Sequence, residues 1–404
     1  MSPVTVTSNS TCAMCLASTP TFHSKPRPRI SGVFRNLLLW CSLVLIPALS
    51  GAGSGAAELP RVFYGGFAFA GNASEIEKNY PIAARLDASL GEAKHFFEVQ
   101  ARDFFQKHAA QFSRVALDFG LVRPQDTPLV LALALADEKI LREELGSFHK
   151  LVIQLSFELL VLDFRELSVV SSRPICIELI DAGKGVFSDD LVVAKMRTMV
   201  EGDDSQLFAT ILNKVGSVSV RGKNQSTLQI RTVIIGEKAL PFLPEAYRQA
   251  TDTYGKATAQ QFGSLLTSQA GLAMLPFAKD GLNSKMSCRF SDGSMLQFKI
   301  PPPTFAVDVN IKGFKKVLNQ NTDAEQLWLY GAFLDIRVYE PEFNKVYFEA
   351  PVKYGVSKII PATQKSVDEF PVVSEALKGA FLAAIEQMQK DANTKEKVLN
   401  KCQL

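Results

Sequence analysis

The sequence predicts an α+β protein of two similar units, each an antiparallel or mixed sheet with a long hairpin and helices packed mainly on one face. Three observations predict it. In Lys150–Leu179 the apolar residues Leu151, Ile153, Leu155, Phe157, Leu159 and Val161 alternate with polar Gln154, Ser156 and Glu158, which is the period of a half-buried strand. The run Asp163–Leu167 supplies a turn, and Val169, Ile175, Ile177 and Leu179 alternate again, completing an antiparallel hairpin. The same plan recurs at Gln326–Val356, with its polar turn at Glu340–Asn344. Pro128 and Pro174 lie 46 residues apart and Pro303 and Pro351 lie 48, so an internal duplication with a small insertion is the expected origin.

The chain opens on a targeting segment. Residues 1–57 hold Lys25, Arg27, Arg29 and Arg35 without an acidic residue, then an apolar run from Leu37 to Pro47, then small residues from Ala48 to Ala57. That order is a secretory signal with an extended basic region. The run is shorter than the roughly 20 residues of a membrane span; an uncleaved inner-membrane anchor is the alternative, and membrane contact is expected through that leader alone. Without it the formal charge of +3 becomes −1, so no basic excess points to nucleic acid.

The first unit is expected over 58–222. Arg61–Gly71 reads as a strand with a bulge or close approach at Gly65 and Gly66. A helical region from Pro81 to Phe112 carries Phe97, Ala101, Phe104 and Phe105 on one face. A strand at Leu129–Ala136 precedes the hairpin, and helices capped by Ser188 or Asp189 and spanning 205–215 follow it. The polar stretch Ser217–Ser226 marks the boundary. The second unit, 223–392, repeats the order: a strand at Leu228–Ile235, a helix over 245–270, strands at Lys285–Phe290 and Ser294–Ile300 around an Asp-Gly turn, a strand at Phe305–Ile311, and the second hairpin. Its last helix, with Pro371 in the first turn and a cap at Ser366 or Asp368, has its apolar stripe at Val373, Leu377, Phe381, Ile385 and Met388. Residues 393–404 read as a frayed polar tail.

The chemistry-bearing residues are sparse. His95, His108 and His149 show no metal spacing and read as solvated; no cofactor or metal motif occurs. Asp163, Glu166, Glu340 and Glu342 read as turn residues. Aromatic side chains supply the candidate interaction surface: Tyr64, Phe67 and Phe69 beside the glycine pair, and Trp328 and Tyr330 on the second hairpin. Of six cysteines, Cys176, Cys288 and Cys402 lie outside the leader. Cys176 and Cys288 are the pair available for a disulfide, and Cys402 for an intermolecular bridge.

This pattern resembles, in architecture alone, small exported domains of bacterial envelope assembly. With a leader for export and no catalytic motif in the chain, the expected role is a periplasmic or secreted, non-catalytic binding or assembly module of the cell envelope, partnered by an envelope protein or by itself. Two alternatives differ in what they require: a carrier needs a cavity beside the phenylalanine-rich helix, and a hydrolase without a local motif needs titratable groups converging in a cleft.

Overall fold

Alternation of apolar and polar residues does set the strands, and in the computed structural model they run longer than their apolar cores. The structure describes residues 59–91, 94–120, 129–215, 218, 220, 225–278, 284–364 and 367–403; the leader and most of the boundary stretch 217–226 lie outside them. Along residues 61–215 the elements are β1 (Arg61–Ala70), α1 (Ile76–Asn79), α2 (Pro81–Asp87), α3 (Phe96–Lys107), β2 (Ala116–Asp118), β3 (Leu129–Leu145), β4 (Phe148–Asp163), β5 (Ser168–Gly183), α4 (Asp189–Val200) and α5 (Gln206–Val215). Then follow β6 (Leu228–Lys238), α6 (Glu245–Gln249), α7 (Thr251–Ala270), β7 (Lys285–Phe290), β8 (Met295–Lys299), β9 (Phe305–Asn321), β10 (Glu325–Glu340), β11 (Lys345–Pro361) and α8 (Phe370–Lys390). The protein is α+β.

Two sheets result. The first has the order β2-β1-β3-β4-β5-β8-β7, and β7 also pairs with β1, so the sheet curls back on itself. The second is β11-β10-β9-β6. Each contains a parallel pair joined through helix, β1 with β3 and β6 with β9, continued as an antiparallel meander. The hairpin β7–β8 follows α7 in sequence yet belongs to the first sheet.

The first sheet is covered on both faces. On one, Leu151, Ile153, Leu155 and Phe157 pack with Phe97, Phe104 and Phe208 from the helices. On the other, Ala132, Leu160 and Leu162 meet Phe290 and Phe298 of the β7–β8 hairpin. The rest of that second face lies against α6 and α7, where Leu141 and Val152 share a core with Phe262, Phe381 and the inner residues of the second sheet. Residues 57–404 thus form one compact unit.

Helix α7 reaches its place because small residues let it in. A Cβ on Gly263 would stand 3.1 Å from Pro174 of β5, and one on Gly255 3.4 Å from the Val233 carbonyl of β6, so the helix lies against both sheets. Its Phe262 stacks on Phe381 of α8 at 4.5 Å. The expected helix over 81–112 is broken, with Gly91 at φ +91° ending its first part, and that over 245–270 breaks at Ala250. Ser188 caps α4 by accepting from the Leu191 N–H at 3.4 Å, and Asp368 accepts from Phe370 N at 3.2 Å.

The C-terminal residues are packed, a correction to the frayed tail. Thr394, Val398 and Cys402 are buried, and the Cys402 carbonyl accepts from Ala273 N at 2.7 Å. Apolar Val398 and Leu399, hidden among lysines in the sequence, drive that docking. Among the described residues no helix is long and apolar enough to cross a membrane.

Candidate functional site

A bulge in β3 founds the site. Register slips between Leu135 and Asp137, leaving Ala136 outside the ladder with its carbonyl free to accept elsewhere. Two side chains take it: the Tyr80 hydroxyl donates at 3.1 Å and the Lys256 ammonium at 2.8 Å. Lys256, on α7, also bonds Asp137 Oδ1 at 3.1 Å. The single Tyr80 hydroxyl proton is shared with the Ala70 carbonyl, 2.5 Å away. Between these groups lies a cleft of about 1120 Å³, walled by the start of α2, the β3 bulge, α6, α7 and the segment leading into β7.

Of the carboxyl groups that line it, Glu138 and Glu158 are buried. Glu138 follows the bulge and takes the N–H groups of Ile82 and Ala83 at 3.1 and 2.7 Å, serving the first turn of α2, where Pro81 has no N–H to offer. Burial pushes its carboxyl up to about 7, against the pull of those two N–H groups. Glu158 of β4 is 2 % exposed and accepts from the Ser172 hydroxyl. Burial pushes it too up to about 7, opposed by Ser172 and the charges of Lys256 and Lys214. Lys214 of α5 is itself brought down to about 8 by burial and donates to the Pro174 carbonyl and Ser264 hydroxyl, both at 3.1 Å. Near neutrality the cleft therefore holds carboxyls close to half-protonation beside an ammonium.

The polar alternation of β4 builds this seam. Gln154 accepts from the Tyr247 hydroxyl at 3.0 Å, and Ser156 and Glu158 are buried. The period alone marks those residues as facing away from the apolar core. It carries no sign that a second layer covers them; the glycines and small polar residues of α7 were the available signal.

The expected interaction residues fall elsewhere. Tyr64, Phe67 and Phe69 are buried, so they are core and not surface: Phe67 stacks on Phe97 at 4.7 Å, because the shift between Tyr64 and Gly66 turns Val62 and Tyr64 before it and Phe67 and Phe69 after it toward the helices. Tyr330 is buried as well, in the core shared with α7 and α8. Trp328 is half-buried, with the Lys316 ammonium 4.2 Å from its ring centre. The phenylalanine face considered for a carrier is filled, Phe104 stacking on Phe208 at 4.6 Å. Cys176 and Cys288 are not joined in a disulfide, which corrects the expected bridge. Cys176 lies on β5 beside Ser156 at 3.6 Å, while Cys288 lies on β7 opposite Ala70 of β1.

Two histidines expected in solvent have carboxylate partners. His95 Nδ1 lies 2.8 Å from Asp87 Oδ2, and the other Asp87 oxygen accepts from Phe97 N at 3.0 Å, so the pair fixes the start of α3. A cavity of about 280 Å³ adjoins it, lined also by Ser291, whose hydroxyl donates to the Phe67 carbonyl at 3.3 Å. His108 Nε2 is 3.5 Å from Asp203. Among the described residues no group of His, Cys, Asp and Glu has metal-binding geometry.

No family model matches the chain, and no curated protein matches it. Solved structures do. A protein from Helicobacter pylori described as a homologue of a neuraminyllactose-binding hemagglutinin has TM-score 0.27 at 12% identity, covering 45% of this chain and 97% of its own. A DUF330 protein from Xanthomonas campestris gives TM-score 0.24 at 9%, with 43% and 87% covered. A minor lipoprotein from Acinetobacter baumannii gives 0.21 at 11%, with 43% and 95% covered. Likeness at these scores carries no argument about function.

Proposed function

We propose that the chain is an exported, non-catalytic binding module of the bacterial cell envelope, built from two copies of one β-α-β-β-β-α unit, with the cleft beside the β3 bulge as its ligand site. It acts in the periplasm or as a secreted protein, and its partner is an envelope protein or a second copy of itself. One observation carries the binding reading: elements from both halves of the sequence converge on one polar cleft whose charged groups are held in place by the fold. Glu138 has both oxygens engaged by backbone N–H groups and Glu158 is tied to Ser172, an arrangement that fixes acceptors and does not free a base. The Asp87–His95 pair is committed to the start of α3 in the same way. The element order β1, α3, β3, β4, β5, α4 and β6, α7, β9, β10, β11, α8 supports the duplication.

Affinity capture tests this. The protein, tagged after Leu404 through a flexible linker and expressed in its native host, is expected to bring down envelope proteins in stoichiometric amounts or a second copy of itself. Its first residue is expected near Gly51 or Glu58. Bait recovered alone, or still carrying Leu37–Pro47, overturns the exported-module reading.

A further inference from the structure

Gln260 projects from α7 into the cleft, 4 % exposed, and its side-chain oxygen Oε1 has no hydrogen-bond partner among the described residues. A buried acceptor without a donor is costly, and a water, an ion or a ligand donor is what such a group calls for. Glu158, which lines the same cleft, is also an acceptor and is nearly enclosed. The cleft already shows which donor its acceptors hold: the primary ammonium of Lys256, on the Ala136 carbonyl at 2.8 Å and Asp137 at 3.1 Å. Apolar Phe277, Met286 and Ile300 line the same space and suit a hydrocarbon stem.

We propose that Gln260 and Glu158 form a subsite for a primary ammonium group carried on an aliphatic stem, either a free diamine or a lysine side chain of a peptide. This rests on the reading of the cleft as the ligand site. The ammonium donates to Gln260 Oε1 and to the Glu158 carboxylate, which gives up its proton as the cation arrives. Charged and titratable groups near Glu158 are Asp137 and Glu138 of β3, Cys176 of β5, Lys214 of α5 and Lys256 of α7. The two lysines favour the ionised carboxylate but oppose a second cation, and Asp137 offsets them.

Calorimetric titration with cadaverine and with the peptide Gly-Lys-Gly, using the purified full chain, tests the subsite, and the tighter of the two identifies the source of the amine. Affinity is expected to rise by up to about tenfold per pH unit below pH 7 and to level off above it. Glu158→Gln is expected to abolish that pH dependence and weaken binding by about tenfold; Gln260→Leu weakens it and Gln260→Glu strengthens it. Equal affinities for wild type, Gln260→Leu and Gln260→Glu overturn the assignment, as does binding flat between pH 5.5 and 8. Mannitol, a neutral polyol, separates the two readings. Shifts of cleft resonances with mannitol and none with either amine overturn the ammonium subsite and leave the ligand cleft standing. Silence toward all three probes also overturns the subsite, and the module reading then depends on the capture experiment.

Discussion

Tyr80 and Lys256, from opposite halves of the sequence, donate to the same carbonyl oxygen, that of Ala136, at 3.1 and 2.8 Å. One displaced peptide thereby ties the segment before α2 to α7, and the cleft wall is the result. Tyr80→Phe is expected to cost ~1 kcal/mol, and Lys256→Met less, since that side chain is 40% exposed. Either variant leaves the carbonyl one donor. The double variant leaves none, so its loss in urea unfolding should exceed the sum of the two singles.

Stability should fall as pH rises from about 4.5 to about 7. Glu138 and Glu158 have folded values near 7 against an ordinary 4.5. An acid that keeps its proton longer folded than unfolded adds stability below its unfolded value and loses it through its folded one. Each loss is on the order of 3 kcal/mol. Glu158→Gln cannot ionise, so its unfolding free energy should match wild type near pH 4 and exceed it at pH 8. Parallel wild-type and variant curves across that range would sink the idea.

The glycine pair in β1 should tolerate no side chain. A Cβ at Gly65 would overlap Val130 of the neighbouring β3, while Gly66 has φ +102° and its Cβ would stand 2.9 Å from Glu98. That carboxylate accepts the Phe67 N–H at 2.6 Å and the Tyr64 hydroxyl at 3.3 Å. Gly65→Ala is expected to cost ~1–3 kcal/mol through overpacking. Gly66→Ala costs about 1–2 kcal/mol from backbone strain, before any displacement of Glu98 is counted. Chemical denaturation checks both.

Thiol reagents should find Cys176 and Cys288 silent in the native protein. Burial pushes both up to about 12, so thiolate is scarce at neutral pH. Both should react once the chain is unfolded in denaturant, and a reductant should leave the midpoint of unfolding unchanged. Mass spectrometry after alkylation in denaturant without reductant distinguishes this from a bridged pair, which would stay unlabelled there.

The hairpins were legible because two-residue periodicity reports directly on strands. Asp163 Oδ1 accepts the N–H groups of Arg165 and Glu166, the turn chemistry its position advertises. The bulge at the glycine pair was legible for a related reason, since β1 shifts register between Tyr64 and Gly66. The site was not. Periodicity separates the faces of a strand but does not say what covers each, so Tyr64 and Phe67 looked as available for a surface as for a core. Glu158 looked like a solvated residue because its cover, α7, comes about a hundred residues later. Cys176 and Cys288 invited pairing by number alone; strand assignment put them in different parts of the first sheet, each among its own neighbours.

The return of β7 and β8 to the first sheet has a consequence for how the chain comes off the ribosome. The sheet that starts at Arg61 cannot close until Lys299 has emerged, and Ala273 finds its partner only after Cys402 has been made. Contacts of such long sequence separation form late. The face of β3 and β4 that β7 and β8 cover must therefore stay open until those strands are made, available to holding chaperones.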